Sequence, residues 1–167
     1  MAIADNEEIT SKEKTIKCIE ITKIKNPTSL AALIYNDFVY LSKYPELDHN
    51  VNSIIKTLCD MGNYSYFLYY DGKLIGYMIG DFRIFPDGRY GYYMSYLFIN
   101  EEYRGRKVGS NLIKKLIKKC LDKGVKFIIL TCDTQDKKAI NFYTKYGFKI
   151  DPGLGGNKLH DVFSLYL

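Results

Sequence analysis

Soft metal ligands are scarce in this chain of 167 residues: it has two histidines and four cysteines. Cys18, Cys59, Cys120 and Cys132 make no CxxC pair and have no companion histidines. Neither a zinc site nor a disulfide frame is therefore indicated, and reduced core thiols are expected. Long apolar runs are also missing. No stretch is long enough to cross a bilayer, and the opening residues lack the apolar block of a secretory signal, so a soluble, cytoplasmic protein with no membrane partner is expected. No internal repeat or low-complexity tract appears. A further absence is local: no acid stands between Arg104 and Lys119, although the net charge is only +5. Cations gathered at one end suggest an anionic ligand. A polynucleotide or simple solvation of a helix flank would account for such a face as well, and nucleic acid is not the expected partner.

The length suits one domain. With 47% apolar and 15% aromatic residues, the chain can close a proper core. Its organising stretch is Tyr103-Arg104-Gly105-Arg106-Lys107-Val108-Gly109-Ser110, a basic turn with two glycines. Upstream, the run from Tyr92 to Ile99 is aromatic and branched with no helical stripe, the composition of a buried strand. Downstream, Leu112, Ile113, Leu116, Ile117, Cys120 and Leu121 recur at helical spacing, with Lys114, Lys115, Lys118 and Lys119 on the other face, until Gly124 stops the helix. A turn whose N–H groups open into a helix N-terminus binds an anion with its backbone. Gly105 and Gly109 allow left-handed or crowded backbone, and Arg104, Arg106 and Lys107 add charged donors for phosphate oxygens.

These residues resemble the acyl-CoA pyrophosphate motif of the GNAT superfamily of N-acyltransferases, Arg/Gln-x-x-Gly-x-Gly/Ala. Arg104 and Gly109 match its ends. Lys107 takes the place of the middle glycine, so either this position keeps an ordinary negative φ or its charge substitutes for close backbone approach. A second stretch, Ala139-Ile140-Asn141-Phe142-Tyr143 through Gly147-Phe148, resembles the family's Ala-x-x-Phe-Tyr-x-x-x-Gly-Phe helix beside the thioester. The resemblance runs from about residue 16 to 167. It implies a mixed α/β fold, a central six- to seven-stranded sheet flanked by about four helices, in a single domain of residues 16–167 behind a loose leader of residues 1–15.

The element order agrees. Ile16, Cys18, Ile19 and Ile21, with Ile24, give a first strand. Asn26-Pro27 caps a helix bearing Leu30, Leu33, Ile34, Phe38 and Leu41. A second helix carries Val51, Ile54, Ile55 and Leu58 up to Gly62. Strands from Tyr64 to Tyr70 and Lys73 to Arg83 flank an Asp71-Gly72 hairpin turn. Pro86-Asp87-Gly88 turns into the strand ending at Ile99. Val125 to Thr131 is apolar on both faces, as in a central parallel strand. A helix from Asp136 and two closing strands, Phe148–Ile150 and Val162–Leu167, complete the chain, with the variable loop Pro152-Gly153-Leu154-Gly155-Gly156 between them.

The resemblance implies acetyl transfer from acetyl-CoA, with no metal, to a primary amine of a small molecule, polyamine or peptide by direct attack. The alternative is a noncatalytic acyl-CoA-binding or regulatory domain. A homodimer is left open. It assigns the leaving thiolate's proton to Tyr143, the pantetheine arm and carbonyl polarisation to main-chain groups of Leu97, Phe98 and Ile99, and the pyrophosphate to the stretch from Arg104 to Ser110, Val108 included. Asp136 stands where the family often has a pantetheine-contacting Asn; it lies seven residues before Tyr143, on the same helical face as Ala139, which lies four before it, and is equally a helix cap. The base is unassigned. Some relatives place a carboxylate just before the Leu97 position, where this chain has Ser95 and Tyr96. Either Asp81, Glu46, His49, Tyr93 or Tyr96 serves through water, or the amine arrives deprotonated; Asp48 or Asn50 is first of all a helix cap, and His160 is a terminal-strand histidine that could face the acceptor. With sixteen tyrosines in the chain, an aromatic acceptor pocket that attracts an ammonium is plausible.

Overall fold

The computed structural model describes residues 15–154 and 160–167; most of the expected leader, and Gly155 and Gly156 of the variable loop, lie outside these. Among the described residues the elements follow the order strand, two helices, three strands, helix, strand, helix, two strands. They are β1 (Lys17–Ile21), α1 (Pro27–Asp37), α2 (Val51–Leu58), β2 (Ser65–Tyr70), β3 (Lys73–Ile84), β4 (Tyr90–Ile99), α3 (Val108–Asp122), β5 (Phe127–Asp133), α4 (Lys137–Lys145), β6 (Lys149–Ile150) and β7 (His160–Tyr166). The strands form one sheet in the order β1-β2-β3-β4-β5-β7-β6. Only β4 and β5 pair in parallel, because α3 carries the chain back across the sheet between them.

Local chemistry explains most boundaries. Asn26 accepts from the Ser29 N–H with Pro27 at the first helical position, and Asn50 accepts from the Ser53 N–H to start α2. Asp71 and Gly72, both at positive φ, close the β2–β3 hairpin. Gly62 does not stop α2, which already ends at Leu58 with the Cys59 N–H on the Ile55 carbonyl. It serves close approach instead, since a Cβ there would lie 2.1 Å from the Phe82 carbonyl oxygen. The first strand also stops at Ile21, short of Ile24.

Alternation along the strands divides the core into layers. Leu68, Met78, Tyr92, Ile128 and Leu130 pack against Leu112, Ile113, Leu116 and Cys120 of α3 and against α4. On the opposite face, Phe67, Tyr77 and Ile79 pack against Ala31 and Ile34 of α1 and Ile54 and Leu58 of α2. Each fully buried aliphatic side chain contributes about 1.5–3 kcal/mol. The buried stripes are narrower than the sequence pattern implies. Leu33 and Leu121 are exposed, because each helix meets a flat sheet along one line of contact.

An ion-pair network anchors the far end of the sheet. Arg89 forks onto both oxygens of buried Asp151, each at 3.1 Å, and the Gly153 and Leu154 N–H groups donate to the same carboxylate. Burial pushes Asp151 up, but Arg89 and these N–H groups outweigh it and hold it well below the usual carboxylate range. A depressed folded-state pKa stabilises the fold above the unfolded value of about 3.9, and that stability is lost as pH falls through the folded value. Thermal unfolding followed below about pH 4 is expected to show a steep loss of stability in the wild type. The loss is expected to be shallower in Asp151→Asn, which is also less stable at neutral pH.

Candidate active site

The sheet opens between its two parallel strands. β4 pairs with β5 from Tyr92↔Ile128 to Met94↔Leu130, whereas its pairing with β3 continues to Gly76↔Ile99. The register on the β3 side passes from Gly80↔Met94 to Ile79↔Tyr96, so Ser95 is the extra residue of a bulge. Beyond it β4 bends away from β5. The Asn100 N–H bonds to the Ile75 carbonyl on β3 at 2.7 Å. Alternation from there turns the main-chain groups of Tyr96 and Phe98 toward β3, and those of Leu97 and Ile99 into the opening. Of the three residues expected to offer main-chain groups there, Phe98 is thus engaged in the ladder. The Ile99 carbonyl accepts from Arg104 Nε at 2.7 Å.

The basic turn follows directly on the diverging end of β4. After β4 a short 3-10 turn, Glu101–Tyr103, leads into Gly105 at φ +74° and Lys107 at φ +62°, and α3 begins at Val108. The expectation of an ordinary negative φ at Lys107 is overturned: the backbone keeps the left-handed conformation that the family's glycine favours. No side chain caps α3 at Lys107, which leaves the first amides of the helix aimed at the turn. Gly109 is helical, and a Cβ there would stand 3.3 Å from the Phe142 ring of α4, so crowding rather than φ calls for glycine. Ser110 is already engaged, its hydroxyl accepting from the hydroxyl of Tyr146, just past the end of α4. Arg106 lies over the Tyr103 ring. A left-handed lysine costs about 1–2 kcal/mol, and glycine gives back roughly 0.5–1 in unfolded-chain entropy. Lys107→Gly is therefore expected to raise stability by about 0.5 kcal/mol, read from urea unfolding.

A cleft of about 330 Å³ runs through the opening and joins the two faces of the sheet. From the α3–α4 face it is lined by Met94, Leu97, Leu130, Cys132 and Ala139, together with Asp136 and Tyr143. Asp136 also caps α4, accepting from the Ala139 N–H at 3.0 Å. Burial, reinforced by Cys132, Tyr40 and Asp136, raises Tyr143 above the usual phenol value. It stays a protonated donor at neutral pH.

The α1–α2 face supplies aromatic and polar groups: Tyr93 and Tyr96 from β4, Thr131 and Asp133 from β5, His160 from β7, and Phe38, Tyr40 and His49 from the α1–α2 segment. The Tyr44 hydroxyl donates to Asp133 Oδ2 at 2.9 Å, and the Gln135 N–H donates to Oδ1 at 2.8 Å. The Gln135 N–H, with Tyr44, His160 and Lys43, lowers Asp133 below the ordinary carboxylate value despite some burial. Several expected base candidates are placed elsewhere or otherwise occupied. Asp81 is buried and gripped by Arg83 through two contacts of 2.6 Å. Glu46 is exposed and does not line the cleft. Asp48, left-handed, accepts from Asn50 and Ser53 beside the helix start. His49 stacks on Tyr35 and has Nε2 3.2 Å from the Tyr35 carbonyl. Sequence reasoning missed Tyr40, Tyr44, Thr131 and Asp133. The one available signal was that Asp133 and Thr131 end a strand whose neighbour leaves it.

Comparison with known proteins agrees with this architecture. The acetyltransferase from the GNAT family of Listeria monocytogenes superposes with a TM-score of 0.66 at 15% identity, covering 90% of this chain and 95% of that one. The PaiA N-acetyltransferase of Thermoplasma acidophilum, solved in complex with coenzyme A, gives 0.64 at 17% identity over 92% and 99%. Naa50 of Arabidopsis thaliana, in complex with the bisubstrate analogue CoA-Ac-MVNAL, gives 0.61 at 20% identity over 91% and 99%. These likenesses show the fold. A curated relative, thialysine N-epsilon-acetyltransferase of Sus scrofa, is 36% identical over 55 residues, 33% of this chain, and the match spans only 32% of that protein's length. The family model for the acetyltransferase (GNAT) family matches residues 29–148. With that match over most of its length, and with the seven-stranded sheet parted between β4 and β5, the chain belongs to the GNAT acetyltransferase family.

Proposed function

We propose that residues 16–167 form a single domain that transfers acetyl from acetyl-CoA to a primary amine by direct attack, the amine belonging to a small molecule, a polyamine or a peptide. One observation carries this reading: β4 diverges from β5 after Met94, which opens a cleft lined by Leu97, Asp136 and Tyr143, and the diverging strand leads into the uncapped start of α3. The turn from Arg104 to Ser110 would hold the diphosphate on the amides of Gly105 to Gly109, Lys107 and Arg106 adding charge. Arg104 would act mainly by tying the turn to the Ile99 carbonyl. The Leu97 N–H, turned into the opening, would hold the pantetheine arm and polarise the thioester carbonyl. Asp136 would border the arm while capping α4. Tyr143 would protonate the departing thiolate. Support for the cosubstrate comes from the neighbours of the same fold solved with coenzyme A or a coenzyme A conjugate.

The test is thiol release from acetyl-CoA in the presence of pooled primary amines, with calorimetric titration of CoA alongside. Amine-dependent thiol release supports the reading. Saturable CoA binding without turnover on any amine would favour a noncatalytic acyl-CoA-binding domain instead, and no binding would refute both.

A further inference from the structure

We infer that His160, with Asp133 beside it in the ladder, is the base that frees the acceptor amine, an inference that rests on the acyl-transfer reading above. An amine reaches the site as an ammonium ion and attacks only after losing a proton. On β4 the bulge presents Ser95 and Tyr96, neither of them a carboxylate. Asp81 is sealed under Arg83, and Asp136 is committed to the α4 cap.

On the α1–α2 face the fold assembles a different set. His160 stands directly opposite Asp133 in the β5–β7 ladder, so their side chains project from the same face of the sheet as neighbours. His160 is 5% exposed, lines the cleft and meets the Tyr44 ring edge-on at 5.0 Å. Tyr44 in turn donates to Asp133. Carboxylate, imidazole and phenol thus converge from β5, β7 and the α1–α2 segment on one wall. The charged and titratable groups on the imidazole's side of the sheet are Asp133 on β5 and Tyr44 and Lys43 on the segment packed over it, whereas Asp161, next in β7, pairs with Cys132 and projects from the opposite face. The electrostatic influence of His160 on Asp133 accords with their adjacency. An ionised Asp133 stabilises the imidazolium formed when the ring takes a proton.

The step balances. His160 takes one proton from the ammonium, and the freed lone pair forms the C–N bond at the thioester carbonyl carbon. The C–S bond then breaks, and the thiolate takes the Tyr143 hydroxyl proton. The second proton leaving nitrogen restores the Tyr143 hydroxyl, and His160 releases its proton to water. The products are the amide, the free thiol and one proton.

The experiment compares an alkylamine, protonated near neutral pH, with trifluoroethylamine, which is mostly neutral there and has little need of a base. His160→Gln is expected to lower kcat with the alkylamine by roughly 100-fold or more, and with trifluoroethylamine by less than about tenfold. CoA affinity by calorimetry is expected to stay unchanged, which also reports that the variant folds. Asp133→Asn is expected to show the same amine-dependent pattern to a lesser extent, as a positioning residue, and decides the matter should His160→Gln not fold. Equal losses with both amines, no loss, or a selective loss in His49→Gln instead would overturn the assignment. A wild type with no amine-dependent thiol release would overturn the acyl-transfer reading itself.

Discussion

Tyr143→Phe is expected to lower kcat for acetyl transfer by about 100-fold or more while leaving CoA affinity within about twofold. The substitution removes one oxygen and keeps the ring. The ring is what packs: it meets Phe142 and Phe148 at centroid distances of 5.3 and 5.6 Å, so α4 should hold its place. The residue lines the cleft, and burial keeps the hydroxyl protonated. Without it the thiolate departs unprotonated unless water reaches it, which is a transition-state loss and therefore falls on kcat rather than on binding. Single-turnover thiol release with saturating acetyl-CoA, beside a CoA titration, separates the two. A loss of CoA affinity with kcat preserved would assign Tyr143 to packing alone.

Gly80→Ala is expected to destabilise the protein by about 3 kcal/mol, the upper end for overpacking, because backbone as well as side chain must shift. A Cβ at this position would lie 2.2 Å from the Tyr92 hydroxyl, 2.3 Å from its ring carbon and 2.5 Å from the Tyr93 carbonyl. Tyr92 cannot move aside freely: it is fully buried and its hydroxyl donates to the Tyr64 carbonyl at 2.6 Å. Gly80 also sits at the register shift opposite the Ser95 bulge, so the strain falls where β4 must bend away from β5. Circular dichroism melting of the variant is expected to show a large fall in Tm. A Tm within a few degrees of the wild type would mean that the β3–β4 contact is far looser than its geometry.

Much of the architecture was legible because its causes are local. Asn26-Pro27, Asn50 and Asp71-Gly72 announce their caps and turn within four residues, and the α3 stripe announces its own period. The sheet and its element order accordingly emerge as expected. The candidate site was legible in two pieces, the basic turn and the Phe142-Tyr143 helix, whose spacing alone sets Asp136, Ala139 and Tyr143 on one face. Other expectations failed for reasons of packing. Lys107 adopts the left-handed backbone that its side chain disfavours, because the entry into α3 fixes it. Gly62 is required by the carbonyl of Phe82 rather than by the helix before it. Asp81 looks available in sequence, yet its own strand neighbour Arg83 occupies it.

The sequence alone determined the order of elements and the basic turn before α3, since helix and strand periods and turn chemistry act over a few residues; the two stretches that resemble GNAT motifs pointed to the membership and to Tyr143. Only the tertiary structure decided how the α1–α2 side of the cleft is built. Tyr44 and Asp133 lie 89 positions apart, and His160 comes from the final strand; they meet because the β5–β7 register and the docking of the α1–α2 segment bring them together. Such contacts depend on which strands pair and where a bulge breaks the pairing, and no window of neighbouring residues encodes that.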